Sequence, residues 1–324
     1  MKKKLLLLIL IPLCAFVKAQ SNLHVVKNLK ITILSTMLAE KGVGEWGFSA
    51  LVQADSSNIL FDSGGRPNIV LDNAKELGVD LSLVRQIVLS HSHGDHTAGW
   101  IPLRQQMSVL NKSAFSVTYV APEFFLEHLS DNGNGYSRKP DSINYAKTGG
   151  KIMIVPTWKE ISPGLYLTGS NFPRVTNEKN FPVGYKLRNA SGKVVDDTVP
   201  EDMSMVIATK YGLVLITGCG HAGVVNIITA IKKKFPGQRI YAAIGGFHLL
   251  ADTDEQIKWT AENLKNAGVR YFMGAHCTGM EPVYKIKNWA GLKNGECIVG
   301  SVGSSFDLTK GFTAGPLTMG RNKN

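Results

Sequence analysis

The sequence predicts an α/β protein in which strands alternate with helices and several strands end in histidine. Short apolar runs such as residues 87–89 and 212–217 are typical of buried strands, and helical patterns lie between such runs. Six of the eight histidines follow the strand-like runs closely. A hydrophobic core needs no histidine, and a surface would scatter them. The clustering therefore predicts a functional site along one edge of a sheet.

The first element of the chain is predicted to be an export signal. Three lysines precede an apolar run over 5–17 that is too short to span a bilayer. A small-residue cleavage site ends at Ala19, so we expect removal of 1–19 and a periplasmic or secreted protein. Cys14 offers the alternative of lipid attachment, although Leu13 before it is too large for that signal. We predict no membrane span in the rest of the chain.

Length and charge limit what the mature chain can be. Removing 1–19 takes four lysines and no acid from a formal charge of +11, which leaves +7. Residues 20–324 can form a full core and contain no convincing linker, so we expect one domain. The basic residues are scattered, which fits a small, anionic substrate better than nucleic acid. Nothing in the sequence indicates an oligomeric state.

Three cysteines remain in the mature chain: Cys219, Cys277 and Cys297. In an exported protein two of them could form a disulfide. Their odd number argues against a disulfide framework, and two of them stand beside histidines in the segments GCGH and HCTG.

The first part of the mature chain is predicted to hold three strands and a helix. They are expected at 29–35, 49–54, 58–65 and 67–79. The glycine-rich segment 40–48 either hangs over a site or is an ordinary hairpin connection. Asp62, near the end of the third strand, either caps a turn or accepts a hydrogen bond from a ligand histidine.

The central motif places three histidines and an aspartate within six positions, directly after the strand-like run 87–89. Imidazole nitrogen and carboxylate oxygen are ligands of zinc, iron or manganese. In an extended segment alternate side chains share a side, so His91, His93 and Asp95 would point together and His96 toward a second metal. A surface loop that happens to be rich in histidine is the alternative.

The middle of the chain is predicted to carry two polar excursions. A helix, a strand and a short helical turn are expected first, at 99–107, 116–121 and 122–129. The helical turn would place His128 on the surface. Residues 131–151 and 171–200 have the composition of lid loops, and the second is expected to cover the site and meet substrate.

The second half of the chain repeats one pattern, a strand that ends in glycine and histidine. Strands at 212–217, 239–244 and 269–273 each run into glycine and histidine, with helices at 224–234 and 254–266. The histidines are His221, His248 and His276. A lone histidine at a strand end is more often structural than catalytic, but the convergence of six on one edge reverses that expectation.

Together these motifs resemble the metallo-β-lactamase superfamily. The resemblance rests on EWGFS at 45–49, ILFDSG at 59–64, IVLSHSHGDHTAG at 87–99, LVLITGCGHAGVVNI at 213–227, IGGFHL at 244–249 and GAHCTG at 274–279. Within the superfamily the chain is similar to the dihydropterin–ribofuranosyl-aminobenzene-phosphate synthase-like branch. The resemblance implies a four-layer αββα sandwich with one or two metals at an edge of the paired sheets.

The resemblance also implies which residues bind metal. The first metal would be held by His91 and His93, and the second by Asp95, His96 and His276. The family usually has a further histidine ligand, for which His221 is the candidate here. Cys219 stands where the family has a bridging aspartate, as a possible bridge or a neighbour.

Two further roles follow from the resemblance. Asp62 would orient a ligand histidine, and His248 would be a ligand, a substrate contact or a general acid.

The expected activity is metal-dependent hydrolysis. One or two zinc ions are expected, with iron or manganese as alternatives. A bound metal acidifies water toward neutral pH, which suits attack on an ester, lactone, phosphoester or amide, with Asp95 as proton carrier. The alternatives are a synthase reaction of the branch named above, an iron-dependent redox protein, and a metal-binding protein without turnover.

Overall fold

The computed structural model describes residues 23–130, 133–178 and 180–319. The predicted export signal lies outside these ranges. Across them, no helix combines the length and apolarity needed to cross a membrane. The helices are α1 Ile69–Glu76, α2 Gly94–Thr97, α3 Trp100–Leu110, α4 Lys139–Lys147, α5 Val224–Lys234, α6 Asp254–Asn266, α7 Met280–Ala290 and α8 Pro316–Met319, with 3₁₀ turns at Pro122–Phe125 and His276–Thr278.

The strands of the described residues are β1 Leu29–Ser35, β2 Leu38–Ala39, β3 Ser49–Ala54, β4 Ser57–Phe61, β5 Gln86–Val88, β6 Val117–Val120, β7 Glu127–Leu129, β8 Gly135–Tyr136, β9 Lys151–Ile154, β10 Lys159–Ser162, β11 Leu165–Leu167, β12 Lys186–Arg188, β13 Val194–Asp196, β14 Met205–Thr209, β15 Gly212–Thr217, β16 Ile240–Gly245, β17 Tyr271–Gly274, β18 Cys297–Val299, β19 Ser301–Val302, β20 Ser305–Asp307 and β21 Gly311–Thr313.

Two large sheets pack face to face and enclose the main core. One has the strand order β21-β20-β1-β3-β4-β5-β6-β9, and the other β10-β11-β14-β15-β16-β17-β18. Because side chains alternate along a strand, each sheet has an inner and an outer apolar face. In β15, Val214 and Ile216 enter the core between the sheets, whereas Leu213 and Leu215 face outward.

Helices cover both outer faces. The outer face of the first sheet packs against α1 and α3 and against Tyr145 of α4. The outer face of the second packs against α5, α6 and α7. The layers are therefore helix, sheet, sheet and helix, which confirms the predicted αββα sandwich.

The parallel strands explain why the functional motifs meet. β4, β5 and β6 run parallel in the first sheet, and β15, β16 and β17 run parallel in the second. The carboxyl ends of parallel strands lie at the same edge of a sheet. Asp62 follows β4, the central motif follows β5, and the three downstream histidine segments follow β15, β16 and β17.

The predicted excursions are more ordered than their composition suggests. Within 131–151 lie β8 and α4, and within 171–200 lie β12 and β13. A small sheet of order β13-β12-β7-β8 joins the two excursions. The pairing of β12 with β7 connects segments about sixty residues apart, and no local pattern in either segment announces it.

The prediction that His128 lies on the surface is wrong. The helical turn ends at Phe125, and His128 lies in β7 with only 1% of its surface exposed. Its ring Nδ1 donates to Asp197 Oδ2 at 2.7 Å, and its Nε2 lies 3.1 Å from Ser92 Oγ. Burial of this polar ring is tolerated because both nitrogens have partners.

Candidate metal centre

The central motif changes conformation midway. His93 is still extended, with φ −62° and ψ 147°, and it precedes the short helix α2. Asp95 and His96 therefore lie on a helix, so the predicted alternation of the motif's side chains ends at His93. This turn separates His91 and His93 from Asp95 and His96. The latter two side chains contact His276 instead.

The first histidine cluster comprises His91, His93 and His221 together with Cys219. Ligand atoms of His91, His221 and Cys219 lie within 4.8 Å of one another. The His93 ring centroid is 4.6 Å from that of His91 and 5.1 Å from that of His221. All four side chains come from the ends of β5 and β15, one strand from each large sheet.

Hydrogen bonds orient two of these rings toward one point. Ser90 Oγ donates its only proton to Asp62 Oδ2 at 2.7 Å, so it accepts from His91 Nδ1 at 2.8 Å. His221 Nδ1 donates to the carbonyl oxygen of Asn180. The Nε2 atoms of His91 and His221 are then left as acceptors. Both are buried and have no hydrogen-bond partner among the described residues.

The second histidine cluster comprises Asp95, His96 and His276, again with Cys219. His96 Nε2 lies 3.2 Å from His276 Nε2 and 3.1 Å from Cys219 Sγ. His276 Nε2 lies 3.3 Å from Asp95 Oδ2. Cys219 thus belongs to both clusters.

Asp62 orients His96 and the central motif. Its Oδ1 accepts from the Ser90 backbone N–H at 2.7 Å, and its Oδ2 accepts from His96 Nδ1 at 2.8 Å. The carboxylate therefore fixes the His96 tautomer that directs Nε2 into the site. Gly218 makes this approach possible, because a Cβ there would collide with Ser90 Oγ and Asp62 Oδ2.

Three of the six described residues other than glycine that have positive φ lie at this edge. Asp62, His248 and His276 have φ values of 59°, 48° and 48°, in the left-handed region that side chains other than glycine rarely adopt. Such strain persists where the surrounding structure enforces it, and it is frequent at functional sites.

The electrostatics keep His91, His93 and His221 neutral at neutral pH. Burial and the neighbouring histidines lower the pKa of His91 and His221 well below the usual range, and burial lowers the pKa of His93 to about 4. Burial also opposes charge on His96, but two nearby aspartates outweigh it and raise its pKa to about 9. Neutral imidazole is the form that binds metal, so His91, His93 and His221 are already in that form at neutral pH, whereas His96 must release a proton when it binds.

The donors of both clusters fit transition-metal ions. Imidazole nitrogen, thiolate sulfur and carboxylate oxygen are the ligand types of zinc, and histidine also suits iron and manganese sites. The orphaned Nε2 atoms of His91 and His221 are the observation that supports this fit, because a buried acceptor without a partner is costly unless something binds it.

The glycine-rich segment 40–48 covers part of the site. Glu45 anchors it by accepting from Ser35 Oγ at 2.6 Å and from the Gly65 N–H at 2.7 Å. The Trp46 ring lies 4.7 Å from the His276 ring and is 53% exposed. Of the two alternatives left by the sequence, the structure therefore favours a cover over the site with an aromatic side chain available for contact.

A cavity of about 420 Å³ opens beside the clusters. Its lining includes His93, Asp95, Tyr136, Arg138, Pro182 and Tyr185. Arg138 is held by a 2.8 Å bond from its Nε to the Ser92 carbonyl and by an ion pair with Asp141. Both excursions thus reach the candidate centre. Arg174 of the second excursion instead donates to the carbonyls of Thr198 and Val199.

The sequence missed the network around Ser92. The Ser92 N–H donates to Glu201 Oε1 at 3.2 Å, its hydroxyl contacts His128, and its carbonyl accepts from Arg138. Ser92 stands between two candidate ligands, so this network holds the backbone that presents them. No local pattern points to it, because His128 and Glu201 are 36 and 109 residues away in sequence.

His248 groups with two cysteine sulfurs rather than with the other histidine nitrogens. One of its ring nitrogens lies within 4.8 Å of the sulfurs of Cys219 and Cys277. Its ring centroid is 4.6 Å from that of His221.

Fold and donor set together define the class of protein. Residues 47–268 match the family model of the metallo-β-lactamase superfamily, so the chain belongs to this family. The resemblance predicted from the motifs is confirmed.

Within the family, the chain is similar to 7,8-dihydropterin-6-methyl-4-(β-D-ribofuranosyl)-aminobenzene-5'-phosphate synthase of Methanocaldococcus jannaschii. The two are 30% identical over 276 residues, which is 80% of this chain and 91% of the relative. An uncharacterised protein of the same archaeon is 29% identical over 265 residues, 80% of this chain and 93% of its own length.

Two solved structures show the same fold. Tm1679, a metal-dependent hydrolase of the β-lactamase superfamily, superposes with a TM-score of 0.69 at 27% identity, covering 86% of this chain and 98% of its own. The metallo-β-lactamase fold protein YhfI from Bacillus subtilis superposes with a TM-score of 0.50 at 14% identity, covering 87% and 100%.

Proposed function

We propose that the protein is a zinc-dependent hydrolase acting on an ester, lactone, phosphoester or amide of a small, anionic molecule. The observation that carries this proposal is the pair of histidine clusters that share Cys219 beside an open cavity. In this arrangement His91, His93 and His221 would hold one ion, and Asp95, His96 and His276 the other. A bound zinc ion supplies Lewis acidity and acidifies water to give hydroxide near neutral pH.

The chain's own groups would orient the reactants. Asp62 and Ser90 hold two ligand rings in the required tautomers. Asp95 lines the cavity. Although burial disfavours its charge, the neighbouring histidines outweigh burial and hold its pKa well below the usual range, so its carboxylate would accept a proton only transiently before returning it. Trp46 would shield the second histidine cluster from bulk water once substrate is bound.

The residues that line the cavity support the proposal of a small, anionic substrate. The Arg138 guanidinium sits at the cavity wall over the Tyr136 ring, and Tyr185 adds a second aromatic side chain to the lining. Arginine binds carboxylate and phosphate groups with a planar pair of donors. An anionic group held there would leave the rest of a small molecule beside His93 and Asp95.

The test is a substrate screen on purified protein. Esters, lactones, phosphodiesters and β-lactams are offered with and without a chelator, and zinc, iron and manganese are compared for reactivation. Metal-dependent release of product from one class supports the proposal. Full activity in the metal-free protein, or no turnover of any class, contradicts it.

A synthase reaction is the second candidate, and the archaeal relative favours it. That relative is named for making a dihydropterin joined to a ribofuranosyl-aminobenzene phosphate, and it matches 80% of this chain. Incubation with a 6-methyl-dihydropterin that carries a leaving group on its methyl carbon and with ribofuranosyl-aminobenzene phosphate, followed by mass spectrometry, tests this reaction. Appearance of the joined product without hydrolysis in the screen would favour the synthase over the hydrolase.

We also propose that the protein is exported, with cleavage after Ala19. The lysines and the short apolar run at the start of the chain support this. N-terminal sequencing of protein from the native cell should begin at Gln20. A chain beginning at Met1, or one lipidated at Cys14, would overturn the proposal.

A further inference from the structure

We propose that Cys277 is a metal ligand and that it forms, with Cys219 and His248, a third, sulfur-rich metal position beside the two histidine clusters. We call this trio the sulfur cluster. The proposal concerns the binding of soft ions and does not depend on which substrate the protein turns over.

The geometry of three donors carries the proposal. The two sulfurs and one ring nitrogen of His248 lie within 4.8 Å of one another. Cys219 and Cys277 are 2% and 1% exposed, so water does not satisfy their sulfurs. The three residues follow β15, β16 and β17, which are neighbours in one sheet. Two thiolates and an imidazole on adjacent strand ends are a donor set for zinc, cadmium or copper(I).

The conformation of His248 is an independent observation. Its φ of 48° is strained for a residue with a side chain, and its Nδ1 is buried without a hydrogen-bond partner among the described residues. Strain together with an orphaned nitrogen would be costly for a histidine that only fills space. A metal ion bound at Nδ1 would satisfy this nitrogen.

Glycines keep the cluster open. A Cβ on Gly246 would lie 2.9 Å from Cys277 Sγ and would collide with the Gly218 carbonyl. The ends of the two adjacent strands can approach each other only because Gly218 and Gly246 carry no side chains. Consecutive residues then serve different positions: His276 belongs to the second histidine cluster and Cys277 to the sulfur cluster.

Cys219 is common to all three groups, and this has a chemical consequence. Its sulfur can bridge two ions but does not serve three tetrahedral positions at once. With an ion in the sulfur cluster, Cys219 can therefore bridge to an ion in only one of the two histidine clusters. Each thiol releases its proton when it binds the ion, so occupation also acidifies the solution.

The test uses Cd²⁺ as a probe and compares two buried cysteines. Metal-free wild type, Cys277→Ser and Cys297→Ser proteins are titrated with Cd²⁺ under a phosphine reductant, and thiolate-to-cadmium absorbance is recorded. Cys297 is the matched control, because it is also buried and its Sγ donates to the Val283 carbonyl. We expect Cys277→Ser to lose about half of the absorbance and Cys297→Ser to keep all of it. Equal absorbance in the three proteins overturns the proposal.

A second measurement needs no variant and remains decisive if Cys277→Ser fails to fold. X-ray absorption at the cadmium edge counts the sulfur neighbours of each ion in wild-type protein loaded with one equivalent. More than one sulfur per ion supports the sulfur cluster, because the histidine clusters offer Cys219 alone. One sulfur or fewer overturns it. Neither measurement reads hydrolysis, so failure of the proposed function leaves this test intact.

Discussion

Replacing Asp62 with asparagine tests whether this buried carboxylate prepares His96 for metal. Asp62 accepts three hydrogen bonds, from the Ser90 N–H, the Ser90 hydroxyl and His96 Nδ1, at 2.7, 2.7 and 2.8 Å. An asparagine of the same shape has only one acceptor oxygen. In its better orientation, the amide oxygen takes the Oδ2 position and still accepts from the Ser90 hydroxyl and from His96 Nδ1. The NH₂ group then takes the Oδ1 position, where it faces the Ser90 N–H and leaves that donor without an acceptor.

The magnitude follows from that mismatch. One buried N–H without an acceptor costs about 1–3 kcal/mol in the free energy of unfolding. Loss of the negative charge also makes His96 a poorer ligand, and changes of this kind lower metal affinity about 10–100-fold. We expect both effects in Asp62→Asn.

The assays are a competition titration against a chromophoric chelator and urea unfolding of the metal-free protein. Asp55→Asn is the matched control. Asp55 also has a positive φ, of 48°, and accepts N–H groups of Lys27 and Asn28, but on the exposed surface. It should leave metal affinity unchanged. If Asp62→Asn binds zinc within about twofold of wild type, the proposed role of Asp62 is refuted, since an effect of that size is below the range given for such residues.

Three further results are expected. His221→Ala should lose metal from the histidine clusters, because His221 groups with His91 and Cys219 and its Nε2 has no hydrogen-bond partner among the described residues. His248→Ala should retain metal there. Full occupancy in His221→Ala together with loss in His248→Ala would reverse the assignment. Arg138→Gln should raise KM about 10–100-fold for anionic substrates and leave KM for neutral ones unchanged, since one charge-assisted bond contributes about 1.5–3 kcal/mol; equal effects on both would exclude an anion-binding role. Removing zinc held at about a hundred times its Kd should lower the free energy of unfolding by about 2.7 kcal/mol for each ion bound. Identical melting with and without chelator would show that stability does not depend on zinc.

Much of the fold could be predicted because its signals are local. The helices at 224–234 and 254–266 have the predicted bounds, since their apolar spacing lies within a few turns. The meeting of the candidate ligands was predictable too, because each follows a strand and parallel strands share an edge. Glycine next to histidine marked those strand ends.

What the sequence did not reveal depends on distant partners. His128 looks like a surface residue because Asp197, which satisfies its ring, lies 69 residues later. The small sheet that joins the two excursions arises from very short strands, whose pairing is set by tertiary contact rather than by propensity. The chain also gives no local indication that Asp95 is helical, because α2 is only four residues long.

The candidate centre joins residues that are far apart in the chain. His96 meets His276 across 180 residues, and the His276 N–H donates to Thr36 Oγ1 across 240. Contacts of such separation require most of the loop-closure entropy to be lost first, so they form late in folding. An ion bound at the centre would then stabilise the native state more than the folding transition state. Zinc should accordingly slow unfolding and leave the refolding rate nearly unchanged, giving the protein kinetic as well as equilibrium resistance to unfolding.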